Sequence, residues 1–263
     1  MGKIIMVASL KGGVGKTTLS ASLAFSLARL GCTTLAIDMD FGVRSLDIAL
    51  GHENSTAPSC WDVMMGLSSV GVAAEGDERS DKLFFMSAPM NVDMSREDAL
   101  TQKLFTSFLR RVKDEYDYVI LDMAAGTGKL LDMARDSGEL DLTLIVCTQN
   151  AASVRAAEKL GAELTVNGDE NIRLILNCFE PTRALKDGDV SVTDIIQRGG
   201  IKLLGVIPWD ERVESMLSSG KLVVQNKRSK AGRALQNIAL RVLGQDVPLF
   251  YKVISRRKRL GLY

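Results

Sequence analysis

The segment that most limits how this chain can fold is Lys11-Gly12-Gly13-Val14-Gly15-Lys16-Thr17-Thr18. The continuous apolar run Ile4 to Ala8 precedes it and reads as a buried strand. After it, Leu19, Leu23, Leu27 and Leu30 recur at helical spacing, and Gly31 supplies a C-terminal stop. Strand, glycine-rich turn and helix in this order begin a parallel α/β sheet. The turn also carries chemistry. Glycines let backbone N–H groups point inward, and the helix N-terminus adds partial positive charge, so phosphate oxygens fit there. Lys16 is placed to reach β- and γ-phosphates, the Thr17 hydroxyl to ligate Mg²⁺, and Thr18 to donate to an α-phosphate.

The remaining chain repeats the alternation. Thr34–Ile37, Leu83–Met86, Tyr118–Leu121, Leu142–Cys147, Ile172–Leu176 and Leu203–Ile207 are predicted strands. Helices are predicted from about Asp98 to Lys113 and from Ser229 to Leu243. Unbroken apolar strands alternating with helices imply a mostly parallel, twisted sheet with helices on both faces. The fold class is therefore α/β, a single-domain P-loop NTPase fold. Residues 1–245 form that domain, and residues 246–263 form a separate tail. Gly66–Ser80 is rich in Gly, Ser and acids and is expected to be mobile. Gln245–Pro248 is expected to act as a hinge.

Acids end the predicted strands where a parallel sheet binds ligands. Asp38 and Asp40 follow the second strand, two residues apart. One suits the metal shell, the other polarisation of water. Asp122 follows four apolar residues, the Walker B arrangement that supports Mg²⁺ through its waters. Asn177 and Pro208 end the sixth and seventh strands, where a base could lie. The four cysteines form no C-x-x-C pair and His52 is the only histidine, which disfavours a zinc or Fe–S site. The short N-terminal strand does not read as a signal peptide, and no run of about 18 apolar residues occurs. An intracellular placement is expected.

Lys11, a second lysine in the loop, marks a resemblance to the MinD/ParA family of deviant Walker P-loop ATPases. Asp38-Met39-Asp40-Phe41-Gly42-Val43-Arg44-Ser45-Leu46-Asp47 through Glu53-Asn54 is similar to the first switch of the MinD branch. The resemblance implies ATP and Mg²⁺ as ligands and an ATP-dependent homodimer. In it, Lys11 reaches across to the partner's phosphates, Asp40 orients the attacking water, Asp38 supports the magnesium site and Asn177 meets the adenine edge. It also implies positioning of cell division, with a septum inhibitor or topological regulator as partner. Met123-Ala124 stands where the family carries Ser-Pro, and without proline that loop is expected to be freer. Gln149, Asn150 and Ala156 depart from the family pattern beside the helix that borders its partner-binding surface. Chromosome or plasmid partitioning, and flagellar or polar localisation, are alternative roles within the same superfamily.

Charge supplies the last expectation. The chain balances 33 Lys plus Arg against 32 Asp plus Glu, a net +1. Lys252, Arg256, Arg257, Lys258 and Arg259 carry five of those cations with no acid among them, and without them the balance is −4. An acidic body argues against DNA as the main partner. At about 100° per residue, Leu249, Phe250, Val253, Ile254 and Leu260 share one side of a helix, with Arg257 intruding. Residues 249–260 therefore fit an anchor to an anionic membrane, peripheral on the inner face of the cell membrane. The same composition fits a solvated basic terminus or a nucleic-acid contact.

Overall fold

Eight strands make one sheet in the computed structural model, which describes residues 2–90, 99–180 and 200–250. They are β1 (Lys3–Ser9), β2 (Thr34–Met39), β3 (Glu75–Asp77), β4 (Ser80–Met86), β5 (Tyr118–Ala125), β6 (Leu140–Cys147), β7 (Ile172–Phe179) and β8 (Lys202–Pro208). The spatial order is β3-β4-β2-β5-β1-β6-β7-β8. Every pairing is parallel except β3 with β4. The helices are α1 (Lys16–Arg29), α2 (Leu46–Leu50), α3 (Cys60–Met64), α4 (Val70–Ala73), α5 (Gln102–Glu115), α6 (Lys129–Asp136), α7 (Ala151–Val166), α8 (Arg212–Leu217) and α9 (Lys230–Val242), with a 3₁₀ turn at Val223–Gln225. The mostly parallel, two-faced α/β sheet expected from the sequence is the observed fold.

Period-2 side-chain alternation divides each central strand between two cores. Ile4 and Met6 of β1 join Leu35, Val119 and Leu121 under α5, whose Phe105 and Phe108 are fully buried. Ile5 and Val7 face the other way, with Ile120 and Leu144, onto Leu19, Leu23 and Leu27 of α1 and Ile238 of α9. Because both faces are covered, the strands are apolar throughout, which is why they were legible as unbroken runs.

Three expectations change. Gly66–Ser80 is not a free loop. Val70 and Ala73 of α4 are buried, and β3 adds to the sheet edge as a hairpin with β4. Polar composition hid this, because an edge strand needs only one buried side and here Asp77 is buried through ion pairing. The long helix starts at Gln102, capped by the Thr101 hydroxyl, which accepts from Leu104 N at 3.3 Å; Asp98 lies outside the described residues. The stretch Gln245–Pro248 is tied down. Arg241 of α9 donates to the carbonyls of Val247 and Pro248, each at 2.8 Å. Leu249 and Phe250 then pack on the body, with the Phe250 ring 6.5 Å from that of Phe179. Those two residues, expected on a membrane-facing side, are partly buried on the protein. The rest of the tail lies outside the described residues. No helix among the described residues is long and apolar enough to cross a membrane.

Candidate functional site

The strand order reverses at β1, which has β5 on one side and β6 on the other. Crevices form at such switch points, outside the carboxyl ends of parallel strands. The glycine-rich loop leaves β1 there. Gly15 is the N-cap of α1 at φ 92, a left-handed conformation that favours glycine. A Cβ at Gly15 would also lie 2.2 Å from Asn177 Nδ2, so the position is closed to a side chain twice over. No side chain caps α1 and its first turn holds no acid. Its leading N–H groups and positive dipole end are thus left to a ligand.

Two carboxylates lie behind the loop. Asp38 and Asp122 face each other in the β2–β5 register and are essentially buried. Asp122 accepts from Ser20 Oγ at 2.8 Å and from the Thr17 hydroxyl. Burial pushes its carboxyl up to about 6, against the pull of those two hydroxyls and of Lys16. Burial, and then the charge of Asp122, pushes Asp38 up to about 7. Lys16 is buried too, and desolvation lowers its ammonium while Asp122 and Asp40 oppose that shift. Both carboxyls are therefore reluctant to ionise beside a single lysine, and a further cation would ease that cost.

Asp38 spends its oxygens on backbone. Oδ1 accepts from Asp40 N at 2.9 Å, and Oδ2 from Ser45 N and Leu46 N at 3.0 and 2.9 Å. It closes the loop that follows β2 and starts α2. Asp40 Oδ1 accepts from Gly42 N and Val43 N at 3.1 and 3.0 Å, while Oδ2 has no hydrogen bond among the described residues. Ser45 Oγ lies 3.1 Å from Thr17 Oγ1 and joins this loop to the phosphate loop. Arg44 holds φ 53 and pairs with Asp47 at 2.6 Å.

The cavity is a groove in two connected parts. One, of about 580 Å³, is lined by Gly12, Lys16, Thr17, Asp40, Ile48 and Ala125. The other, of about 440 Å³, is lined by Asn177, Cys178, Pro208 and Trp209. Gly13, Gly15, Thr18, Glu214 and Leu217 line both. A lysine-bearing part at the glycine-rich loop thus runs into a part walled by Asn177, Pro208 and Trp209, which gives room for phosphates at one end and a base at the other. Asn177 donates to the Val14 carbonyl at 2.8 Å, which fastens β7 to the loop. Cys178, at φ 53, interrupts the β7–β8 register and lets Asn177 turn toward the loop.

Most of the sequence-derived residues meet here. Lys16, Thr17, Thr18, Asp40 and the loop glycines line the groove with Asn177 and Pro208, and Val14 is buried beneath it. Lys11 stands apart. It is exposed, and its Nζ reaches Asn150 Oδ1 at 3.4 Å. Met123, where a freer loop was expected, is buried, and β5 continues to Ala125 with Gly126 N on Ser9 O at 3.0 Å. Ser20, Ser45, Glu214 and Leu217 were missed. Ser20 lies four residues after Lys16, one helical turn on, which was the available signal. The walls Glu214 and Leu217 carry no motif.

The description of CobQ/CobB/MinD/ParA nucleotide-binding domains matches residues 5–224. The septum site-determining protein MinD of Synechocystis sp. is 35% identical over 249 residues, 94% of this chain and 92% of that protein. MinD of Bacillus subtilis is 33% identical over 253 residues, covering 95% and 92%. The MinC:MinD cell division protein complex of Aquifex aeolicus contains a chain with TM-score 0.85 and 28% identity, covering 94% of this chain and 98% of that one. Similarity that runs almost end to end makes this chain a member of the CobQ/CobB/MinD/ParA nucleotide-binding family, on its MinD side.

Proposed function

We propose that the chain is a MinD-type ATPase that binds ATP with Mg²⁺ in the groove, hydrolyses it as a sandwich dimer and associates peripherally with the membrane to place cell division. The observation that carries this is the uncapped N-terminus of α1 with buried Lys16 beside Asp122 and Asp40. Backbone N–H groups and Lys16 bind the phosphates, and Thr18 lies where the two parts of the groove join.

The donor set fits Mg²⁺. Among the described residues no cluster of three His, Cys, Asp or Glu could cage a metal. Mg²⁺ wants a hydroxyl, one or two carboxylates, phosphates and waters rather than a cage. Thr17 and Asp122 would supply the protein's share of that set, and a divalent cation would offset the cost of ionising the buried Asp122. Asp38 supports it indirectly through the loop it closes. When bound, Mg²⁺ neutralises charge on the β- and γ-oxygens. Asp40 has one oxygen engaged by its own turn and the other left to orient a water. Lys11, exposed at the start of the loop, is the group that reaches the partner's phosphates in trans.

The basic tail beyond Phe250 makes the membrane contact in this reading, with a MinC-like inhibitor as a protein partner, as in the Aquifex complex. Lys16→Ala should abolish ATP turnover while leaving the fold intact; retained turnover would sink the reading. Sedimentation with anionic liposomes, with ATP against ADP and with the chain ended at Gln245, tests the membrane step. An ATP-dependent pellet lost on truncation is the expected result.

A further inference from the structure

Behind the groove lies a contact that the phosphate chemistry does not use. The hairpin between β3 and β4 turns at Glu78-Arg79, and the Arg79 guanidinium points back into the protein. Its Nε donates to Asp77 Oδ1 at 2.7 Å, and Nη2 also pairs with Asp77 Oδ2. The same Asp77 oxygen lies 3.2 Å from His52 Nε2. Beyond this pair, Arg79 makes two further bonds, one to the end of α2 and one to the turn that follows α8. Nη2 donates to the Leu50 carbonyl at 2.6 Å, and Nη1 to the Gly220 carbonyl at 3.2 Å.

Leu50 is the last residue of α2 and Gly220 closes the turn after α8, where Gly220 N bonds Leu217 O. Carbonyls at helix ends lack intrahelical partners and carry partial negative charge, so a cation is favoured there. The two backbones touch at this point. A Cβ on Gly220 would lie 3.1 Å from Gly51 Cα, tighter than an ordinary contact, and Gly220 holds φ 63, so a side chain here would strain the approach. Both helices also line the groove. α2 presents Ile48 and Ala49 to its phosphate part, and α8 presents Glu214 and Leu217 to both parts. One guanidinium, itself outside the groove lining, therefore joins two of its adjoining walls.

We propose that Arg79 is a positioning residue for the nucleotide groove: by bridging the ends of α2 and α8 it holds the two walls at the spacing that retains the nucleotide. Its planar fork suits the task, since it holds Asp77 with one edge and two diverging carbonyls with the other. A lysine is a single point charge and cannot hold all three. The inference rests on the groove being the nucleotide site. It goes further by naming what sets the rate of release.

The test is stopped-flow release of N-methylanthraniloyl-labelled ATP with Mg²⁺ from the full chain. Arg79→Lys and, independently, Gly220→Ala are expected to release it about tenfold faster, since small displacements of a positioned wall cost about that much or more. Leu164→Ala removes a buried side chain from α7, away from the groove. It should lower the melting temperature and leave release at the wild-type rate. The proposal is overturned if folded Arg79→Lys and Gly220→Ala release at the wild-type rate, or if Leu164→Ala speeds release as much as they do. A wild-type chain that binds no labelled ATP removes both the nucleotide reading and the clamp. Binding by wild type with unchanged release in both variants removes the clamp alone.

Discussion

Lys16, Asp38 and Asp122 share a buried space in which every neighbouring hydroxyl changes the cost of a charge. Ser20 shows this most directly. Its Oγ donates to Asp122 Oδ1 at 2.8 Å and also meets the Lys16 carbonyl at 3.0 Å. A donor favours the charged carboxylate, so its removal should raise the Asp122 carboxyl further above the about 6 at which it already stands. Ser20→Ala is therefore expected to weaken Mg²⁺ affinity about tenfold or more, the usual effect of losing a group that orients a metal ligand. A Mg²⁺ titration of labelled-ATP binding measures it. Lys16, Thr17 and Asp122 were legible because their spacing to strand and helix is part of the motif. Ser20 was not. On the page it is one small polar residue in an apolar helix, and only the facing of α1 onto β5 gives it a partner.

Among the elements, the β3–β4 hairpin and α2 were the hardest to foresee and matter most for the groove. Asp77 anchors them. Burial alone would raise its carboxyl, but the hydrogen bonds from Arg79 and His52 outweigh that and hold it well below the usual carboxylate range. A carboxyl depressed on folding adds stability above its unfolded pKa of about 3.9, and that stability fades as pH falls through the folded value. Asp77→Asn should accordingly cost about 2 kcal/mol at pH 7, since it leaves the half-buried Arg79 without its counter-ion. The gap to wild type should narrow as the pH drops below about 4, where the wild-type carboxylate begins to lose its advantage. Urea unfolding at a series of pH values checks this, and a gap that stays constant with pH would contradict it. The central strands posed no such difficulty. β1, β2 and β5 are buried on both faces, so their residues had to be apolar in sequence. An edge hairpin needs no such run, and Glu75-Gly76-Asp77 looked like loop for that reason.

Across the whole molecule, charge and shape are divided between body and tail. The last twelve residues carry five cations, and the rest of the chain has a net charge of −4. The junction is not slack. Arg241 holds Val247 and Pro248 and also donates to the Leu204 carbonyl at 2.9 Å, so α9, β8 and the root of the tail are fastened together. Arg241→Gln should release this root and expose Phe250, seen as faster chymotryptic cleavage there, with a stability loss of about 1 kcal/mol per hydrogen bond not replaced. Unchanged cleavage would show that Phe250 packing on Phe179 suffices alone. The sequence by itself determined the α/β class, the phosphate loop and the acids at the strand ends. Those features depend on local spacing and on burial that every central strand must satisfy. Only the tertiary structure decided that Asp38 serves its loop, that Arg79 ties two groove walls together and that Leu249 and Phe250 rest on the body. Each of these depends on groups distant in sequence meeting in space, where burial and hydrogen bonding, rather than residue type, set what a side chain can do.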